Sequence, residues 1–457
     1  MKEIRRLASA GGLPQFEVST VGRVMAIRRH GKTAFFDVHD EDDRLQCQIR
    51  WDVVGPEGYD FFARFVERGD FLGASGGLFY TRMGELTLQV EGYTILAKAL
   101  YDMPRERFGL RDVETRYRQR YLDLLLNPGA RELFVARSRI VSEMRGFLAG
   151  RGFLEVETPI IQECYGGAAA RPFTVHVNDL GETRYLQISP ELYLKRLMVG
   201  GFNRVFTICK NFRNEEIDAT HNPEFTMMEA YEAYADYNDI MGLTQDLITT
   251  LALEARGSLR WEHDGVEMDL TPPWRRLTMY EALEEYAGLN VDEMSDEEIR
   301  DALRENDPVN CDRLLARGGY NRGLFVAQLF DHFCKDRLIQ PTFVTDHPRE
   351  TVPLCKIHRD DPDLIERFEL FIDGMEMANA YTELNDPQEQ AERFRMQVGH
   401  EDERERIDRD FLRALAYGMP PAGGIGIGMD RLVMVLTNRT SIREVILFPL
   451  LRPEEDR

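Results

Sequence analysis

The chain has 457 residues, which is enough for two or three domains and a large hydrophobic core. It is 43% hydrophobic and 30% charged, as in soluble globular proteins, and no apolar run reaches the length that spans a bilayer. The net charge of -22 argues against indiscriminate nucleic-acid binding, although a local basic surface remains compatible with it.

The six cysteines are far apart and form no C-x-x-C pair. This spacing fits a reducing compartment and argues against a zinc ribbon. The opening residues, MKEIRRLASAGGLPQFEV, lack the apolar core of a signal peptide. We therefore expect a cytoplasmic protein with no membrane segment.

The first part of the chain, from Phe16 to Ala97, consists of short β-like runs separated by turns rich in glycine and aspartate. It contains five candidate strands in about 80 residues. Such a pattern suits a small closed β-barrel, and an OB-fold is the natural candidate. We expect this domain to cover residues 1–102 and a linker to follow over residues 103–130.

The remainder, residues 131–457, mixes helices and strands, so the predicted class is α+β. A helical period holds from Ala130 to Gly150, and FLEVETPII indicates a strand broken by Pro159. The stretch 239–340 is charged and mostly helical, and it has the character of an insertion. The chain then returns to strands and closes with GGIGIGMDRLVMVLTN, a glycine-rich strand that runs into a helix.

The central stretch NFRNEEIDATHNPEFTMMEAYEAY combines charges with apolar residues. If its start is a strand, Arg213 and Glu215 point to the same side, and residues 216–223 can form a hairpin loop. The return strand then places four residues on one face: Phe225, Met227, Glu229 and Tyr231. Two interpretations follow. One is a structural ion pair inside a sheet; the other is a ligand pocket that contains a cation, carboxylates and aromatic walls.

NFRNE, HNPEF and TMMEAY resemble motif 2 of class II aminoacyl-tRNA synthetases of the lysyl type. PELYLKRLMVGGF, GGAAARPF, RYRQRYLDL, NAYTELNDP and GIGIGMDRLVMVLTN are similar to other segments of that family, in the same order, from about Phe16 to Pro453. The resemblance implies an antiparallel catalytic sheet flanked by helices and a homodimer with Pro159 at its interface. It also implies activation of lysine by ATP, with Mg²⁺, and transfer of the lysyl group to tRNA(Lys).

The resemblance assigns catalysis to Arg213, which would hold the lysine carboxylate and the α-phosphate, and to Arg431, on the far face of adenine. The residues implied for ATP are Arg213, Glu215, His221, Phe225, Glu376, Gly428 and Arg431. Those implied for lysine are Gly167, Glu191, Arg213, Glu229, Tyr231, Asn379, Glu383 and Gly426. Those implied for metal are Glu369 and Glu376, and those implied for the tRNA anticodon are Arg28, Phe35, Gln46 and Glu91.

Two of these assignments have a physical basis of their own. Gly424, Gly426 and Gly428 alternate, so one strand face lacks side chains and a planar base can approach it; close helix–strand packing is an alternative for Gly428. The run is G-x-G-x-G near the end of the chain, which does not fit a dinucleotide-binding motif. Mg²⁺ prefers a few carboxylates with phosphate oxygens, but Glu369 and Glu376 share a face only if a bulge or turn intervenes.

The predicted barrel would read the anticodon. OB-folds bind single strands by stacking bases on aromatic rings, with basic residues on the backbone. Phe35 is a candidate platform, Gln46 a candidate reader of a base edge, and Arg28 and Arg29 candidate phosphate ligands. The alternative for Phe35 is a place in the barrel core.

The chain departs from the lysyl pattern at Glu216, Thr220 and Val352, where a glycine, an arginine and a serine are usual. These departures keep open a divergent paralogue that activates lysine or an analogue for protein modification or dinucleotide synthesis. The barrel argues against it, because protein-modifying relatives lack that domain. A non-catalytic RNA-binding module would be expected to lose Arg213, Arg431 or the metal glutamates, and all are present.

Overall fold

The computed structural model describes residues 1–9, 13, 16–41, 43–104, 109–397 and 407–453. The chain divides into two units, residues 1–109 and 110–457, and the division falls within the stretch predicted as a linker. Among the helices in these described residues, none is both long enough and apolar enough to cross a membrane.

The first unit is built on a barrel. Its elements are α1 (Lys2–Ser9), β1 (Val18–His30), β2 (Thr33–His39), β3 (Arg44–Arg50), α2 (Trp51–Phe65), β4 (Phe71–Tyr80) and β5 (Leu86–Ala97). The strands close in the order β1-β2-β3-β5-β4, with β3 and β5 parallel and the other neighbours antiparallel. Alternate residues point inward, and Phe36 of β2 packs on Phe62 of α2 with ring centroids 5.0 Å apart. The predicted five-stranded barrel is confirmed.

The second unit is centred on an eight-stranded, mostly antiparallel sheet. Its strands are β6 (Leu154–Glu155), β7 (Ile161–Gln162), β8 (Thr174–Val177), β9 (Glu182–Leu186), β10 (Arg204–Phe212), β11 (Glu224–Ala233), β12 (Arg260–His263), β13 (Val266–Asp269), β14 (Arg275–Thr278), β15 (Thr342–Pro348), β16 (Leu364–Ile372), β17 (Met375–Thr382) and β18 (Ala422–Gly428). The large sheet has the order β14-β15-β16-β17-β18-β11-β10-β6, while β7, β8 and β9 form a small sheet and β12 and β13 a hairpin.

Helices flank this sheet, as predicted. They are α3 (Val113–Arg118), α4 (Arg120–Leu126), α5 (Pro128–Gly150), α6 (Glu191–Val199), α7 (Tyr237–Arg256), α8 (Met279–Ala287), α9 (Asp296–Asn306), α10 (Pro308–Gly318), α11 (Arg322–Phe333), α12 (Pro387–Gln397), α13 (Arg409–Ala416), α14 (Met429–Thr437) and α15 (Ile442–Val445). A 3-10 turn follows α11 at Lys335–Arg337.

The two faces of the sheet differ in chemistry, and this difference positions the site. Ala230 of β11, Ala380 of β17 and Ile425 of β18 join the main hydrophobic core with α5, α7 and α14. Their strand neighbours point to the opposite face, because side chains alternate along a strand. That opposite face carries the charged, aromatic and glycine residues of the same strands.

The predicted insertion at 239–340 is too long at its start. Helix α7 (Tyr237–Arg256) packs in the main core, with Ile240, Leu247 and Leu251 fully buried against the sheet. A separate hydrophobic core gathers around α8, α9 and α11. The charged residues of α7 suggested an insertion, but its apolar face is a layer of the catalytic unit.

Candidate functional site

A cleft of about 1470 Å³ opens on the polar face of the sheet. Strands β11, β17 and β18 contribute to its lining, together with residues from 165–172, 213–222 and 351–354. With one exception, every residue predicted for ATP, lysine or metal lines this cleft. These are Gly167, Glu191, Arg213, Glu215, His221, Phe225, Glu229, Tyr231, Glu369, Glu376, Asn379, Gly426, Gly428 and Arg431. The exception is Glu383, which is buried next to the lining residues Tyr231 and Gly424.

Arg213 presents an uncompensated positive charge to the cleft. Its guanidinium carbon lies 5.0 Å from the ring centroid of Phe225, and Nη2 lies 4.0 Å from the sulfur of Met227. Its Nε is buried without a hydrogen-bond partner. Within the described residues, no carboxylate lies at ion-pair distance from it. Burial lowers the pKa of Arg213, although Glu376, Glu215 and Glu229 oppose that shift. A desolvated, unpaired guanidinium is costly, so the arrangement is suited to an anionic ligand.

Arg213 and Glu215 are not strand neighbours, contrary to the prediction. β10 ends at Phe212, and the Arg213 amide donates to the carbonyl of Pro223 at 2.9 Å, which closes the base of the loop. Glu215 accepts a hydrogen bond from the amide of Arg171 at 3.3 Å. The interpretation of this pair as a structural ion pair in the sheet is therefore wrong. The sequence pattern continued the strand too far because an aspartate- and glutamate-rich loop follows it without a glycine or proline until Pro223.

The hairpin loop is organised by Asp218, which the sequence reasoning missed. Its carboxylate accepts from the amides of Thr220, at 2.6 Å, and His221, at 2.8 Å, and lies 2.8 Å from His221 Nδ1. On the other side of the ring, Arg431 Nη2 lies 2.8 Å from His221 Nε2. These partners favour the neutral tautomer with the proton on Nδ1, which turns Nε2 toward the arginine.

Arg431, in the first turn of α14, connects two walls of the cleft. Its Nη1 donates to the carbonyl of Glu376 at 2.9 Å, and its Nε donates to the carbonyl of Thr220 at 3.4 Å. Thr220 stands where the lysyl pattern has an arginine, and its hydroxyl lies 3.1 Å from both the Asp218 carboxylate and His221 Nδ1. This departure thus stabilises the loop that carries His221.

The glycine-rich strand β18 supports the cleft in two different ways. A Cβ at Gly428 would meet only the carbonyl of Met377, at 3.9 Å, so the strand there is open to a flat ligand. A Cβ at Gly426 would meet the Met227 methyl group at 3.0 Å. At Gly424 it would lie 2.1 Å from Glu383 Oε1 and 2.5 Å from Tyr231 Cε1. Gly424 is therefore required by its neighbours inside the protein, and Gly428 offers space for a ligand.

A bulge brings Glu369 and Glu376 to the same face, as their predicted joint role requires. Glu369 pairs with Asn379, whereas Phe371 pairs with Glu376, so Met377 is the extra residue of β17. Met377 points into the main core and both glutamates line the cleft. The guanidinium of Arg367 bonds Glu369, and its Nε donates to Asn379 at 3.1 Å. Two carboxylates in a cleft that is also lined by Arg213 and Arg431 fit Mg²⁺ bound together with phosphate oxygens.

Glu229 is buried at the inner end of the cleft. Ser189 donates to its Oε1 at 2.8 Å, and the Tyr231 hydroxyl donates to its Oε2 at 3.1 Å. Burial raises the pKa of Glu229 to about 8, and the neighbouring charge of Glu191 adds to this shift, while the two hydrogen bonds oppose it. At neutral pH this carboxyl therefore favours its protonated form.

We expect the raised pKa of Glu229 to make the ligand-free protein less stable at higher pH. The unfolded carboxyl titrates near 4.5. The stability linked to this proton is therefore fully present below that pH and is lost as the pH rises through about 8. Glu229→Gln mimics the protonated form, so its Tm relative to the wild type should increase steadily between about pH 5 and pH 8. A Tm difference independent of pH would contradict the assigned shift.

An ionic cluster that the sequence reasoning did not identify lies next to Glu229. Lys195 Nζ lies 2.7 Å from Glu191 Oε1 and forms an ion pair with Glu383, and the Tyr381 hydroxyl donates to Glu191 Oε1 at 2.6 Å. Lys195 and Glu383 are fully buried. Burial alone would lower the pKa of Lys195, but Glu191 and Glu383 outweigh it and raise that pKa above its ordinary value. The signal was present as a glutamate and a lysine four residues apart on one helix.

Glu383, predicted to bind lysine, is buried beside Gly424 and Tyr231 and does not itself line the cleft. Its Oε2 faces Lys195, and its Oε1 lies against Gly424 and the ring of Tyr231, buried without a hydrogen-bond partner. Burial raises the pKa of Glu383 well above its ordinary value, and Lys195 opposes the shift. The resemblance implied a contact of Glu383 with lysine, and Glu383 directly follows the last residue of β17.

On the barrel, Phe35 lies on the outer face and Phe36 fills the core with 0% exposure. The alternative that placed Phe35 in the core is therefore wrong. Phe35 pairs across the strands with Arg28 on one side and Gln48 on the other, so a half-exposed ring lies between basic and polar neighbours. Such a surface is suited to stacking a base.

Of the other predicted anticodon residues, Arg28 and Gln46 form side-chain hydrogen bonds within the barrel unit, and Glu91 is exposed. Arg28 donates to both carboxylate oxygens of Asp37 at 3.1 Å, yet its side chain stays 46% exposed. Gln46 accepts from the hydroxyl of Thr87 at 3.0 Å, which leaves its amide group as a donor. Glu91 is exposed on β5.

Comparison with protein-family models matches residues 112–452 to "tRNA synthetases class II (D, K and N)". Residues 18–96 match "OB-fold nucleic acid binding domain". The first unit therefore contains an OB-fold, and the predicted α+β architecture with an N-terminal barrel is confirmed.

Among curated proteins, the lysine–tRNA ligase of Methanoculleus marisnigri is 51% identical over 440 residues, which cover 95% of this chain and 86% of that protein. The lysine–tRNA ligase of Saccharolobus solfataricus is 49% identical over 464 residues, which cover 99% of this chain and 92% of that protein. The protein named lysine–tRNA ligase 2 of Methanosarcina mazei is 48% identical over 442 residues, covering 96% and 86% respectively.

Proposed function

Since the chain belongs to the class II tRNA synthetases of the aspartate, lysine and asparagine group, we propose that it activates lysine with ATP and transfers the lysyl group to tRNA(Lys). The observation that carries this proposal is the buried acidic cluster of Glu191, Glu229 and Glu383 at the inner end of a cleft with an unpaired arginine. An aspartate side chain would need cations there. An excess of carboxylates selects a cationic amino acid.

Arg213 would position the reacting groups. The carboxylate of lysine must attack the α-phosphorus of ATP, and both groups are anions. A guanidinium without a protein counter-ion can bind both and stabilise the charge that develops between them. The step requires orientation and electrostatic stabilisation, and we assign no general base.

We assign ATP to the outer part of the cleft. Adenine would lie on Phe225, opposite Arg431 and against the open strand at Gly428. Glu215 would face the adenine amine, and His221 would face the γ-phosphate. Glu369 and Glu376 would hold Mg²⁺, which when bound supplies charge neutralisation at the phosphates.

We assign lysine to the inner part of the cleft. Its α-ammonium would be held by Glu191 and the backbone of Gly167, with Asn379 and Glu229 in support. Its ε-ammonium would lie toward Tyr231 and Glu383. A buried acceptor without a partner, Glu383 Oε1, lies in this direction, and an ammonium that reaches it would satisfy it. Gly426 leaves room for the aliphatic chain, since no Cβ occupies that part of the floor.

For the tRNA, we propose that the outer face of the barrel binds the anticodon. Phe35 would stack a base, Gln46 and Glu91 would contact base edges, and Arg28 and Arg29 would contact phosphates. The overall charge of -22 makes this binding sensitive to salt.

The second proposed partner is another copy of this chain. Close to Pro159 along the chain, three apolar side chains are 46–54% exposed, namely Leu154, Ile160 and Ile161. A second copy would cover them in a homodimer.

The enzyme would act in the cytoplasm, the reducing compartment expected from the spacing of its cysteines.

The direct test of the function is ATP–pyrophosphate exchange with each of the twenty amino acids, followed by charging of tRNA(Lys). We expect exchange with lysine to exceed exchange with aspartate and asparagine by about 10⁴-fold, because neither can satisfy the buried carboxylates. Lysine exchange without tRNA charging would favour the divergent paralogue. Absence of lysine-dependent exchange would refute the proposed function.

A further inference from the structure

Lys195 joins the two carboxylates to which the proposed function assigns the two ammonium groups of the substrate. It follows Glu191 by one helical turn on α6, so both side chains leave the helix on the same side. Its ammonium lies 2.7 Å from Glu191 Oε1 and also forms an ion pair with Glu383 Oε2. The side chain of Lys195 is fully buried and is not one of the residues that line the cleft.

The contacts leave one oxygen of each carboxylate for a ligand. On Glu191, Oε1 accepts from both Lys195 and Tyr381, and within the described residues nothing donates to Oε2. On Glu383, Oε2 faces Lys195, and Oε1 lies against Gly424 and Tyr231 without a partner. Lys195 therefore bonds one oxygen of each carboxylate, Glu191 Oε1 and Glu383 Oε2, and does not itself occupy the positions open to a ligand.

The groups that face this cluster come from four elements. Helix α6 contributes Glu191 and Lys195, β10 contributes Cys209, β11 contributes Glu229 and Tyr231, and β17 contributes Tyr381. Glu383 directly follows β17, and its bridge partner Cys355 lies between β15 and β16. Beyond these, Arg213 acts on Glu229, and Arg367 and Arg393 act on the Cys355 thiol. Once Glu229 has also lost its proton, three carboxylates against the one ammonium of Lys195 leave two negative charges, which equals the positive charge of the two ammonium groups of lysine.

We propose that Lys195 is a positioning residue for substrate lysine: its ion pairs fix Glu191 and Glu383 relative to each other and offset part of their negative charge, so that the oxygen left open on each carboxylate is in place when the amino acid enters. This inference rests on the proposed function. A neutral residue at this position would leave three carboxylates in one buried volume, and such groups retain protons because like charges destabilise each other. Lysine could then bind only after those protons had left.

The test compares Lys195→Gln with Arg196→Gln in the ATP–pyrophosphate exchange assay between about pH 7 and pH 9. In K195Q we expect the KM for lysine to rise roughly 30-fold at pH 7, with kcat changed by less than about threefold, and the KM to fall more steeply with pH than in the wild type. Arg196 is the next residue on the same helix, but it pairs with Asp408 at 2.7 Å, outside the cluster. R196Q should show a wild-type KM and pH profile.

A purely structural role for Lys195 predicts a different result. K195Q would then lower Tm and kcat at every pH while the KM for lysine kept its wild-type pH dependence, and this result would overturn the inference. Wild-type protein without lysine-dependent exchange would instead refute the proposed function, so the two failures are distinguishable.

A measurement on the wild-type protein covers the case in which K195Q does not fold. Titration calorimetry of lysine binding near pH 7, in buffers of different ionisation enthalpy, counts the protons released. If the ammonium of Lys195 offsets one of the three buried carboxylates, binding of the two ammonium groups of lysine should release about one proton, that of Glu229. Release of two or more protons would show that Lys195 does not offset the charge of its partners, and this would overturn the inference.

Discussion

Arg213→Ala should reduce lysine-dependent ATP–pyrophosphate exchange by about 10³-fold, the largest effect expected of any single substitution in this chain. Among the residues that the structure describes, the guanidinium has no carboxylate partner to release, so the loss reflects missing contacts to the two reacting anions. Since the assigned contacts strengthen as charge develops on the phosphorus, the loss should appear in kcat. Exchange rates at saturating lysine and ATP measure it.

Arg204→Ala is the matched control, because Arg204 lies at the other end of β10 and bonds Glu232 at the surface. It should leave exchange within about twofold, as expected for an exposed ion pair. Binding of tRNA(Lys) should persist in R213A, because the proposed anticodon surface belongs to the barrel unit. Equal exchange in the two variants would remove Arg213 from its assigned role.

Gly424→Ala should raise the KM for lysine roughly 100-fold, because the new methyl group has no space. Its Cβ would lie 2.1 Å from Glu383 Oε1 and 2.5 Å from Tyr231 Cε1, and both groups belong to the site proposed for the ε-ammonium. The β18 backbone is held between β11 and β17, so the side chains must move. Steady-state kinetics with varied lysine at fixed ATP would measure the effect.

Gly428→Ala provides the contrast on the same strand face. Its Cβ would meet no protein atom closer than 3.9 Å, so the fold should tolerate it. If adenine occupies that space, the KM for ATP should rise while the KM for lysine stays near the wild-type value. Similar lysine KM values in G424A and G428A would contradict the division of the cleft into an inner lysine part and an outer nucleotide part.

The two-residue period of strands made much of the cleft predictable. Phe225, Glu229 and Tyr231 share a face in the sequence pattern, and the structure places them on one cleft wall. The barrel was predictable for the same reason. Both cases depend on local geometry, which a short stretch of sequence determines by itself.

What the pattern could not show depends on contacts between distant elements. The partners of Lys195 come from α6 and from the segment after β17, and no local period relates those positions. Arg213 and Glu215 were misplaced because the strand ends before them. Helix α7 resembled an insertion because its charged face is visible in the sequence, while the sheet that covers its other face is not.

The extra residue at Met377 constrains how the β16–β17 hairpin can vary. Asn379 and Tyr381 are fixed opposite Glu369 and Arg367 by the ladder, and Glu376 precedes Asn379 by three residues. Without the bulge, strict alternation over this odd spacing would turn Glu376 into the apolar layer between sheet and helices, where a carboxylate is strongly disfavoured. Homologous chains that keep this spacing between the acid and the asparagine should therefore also keep the bulge.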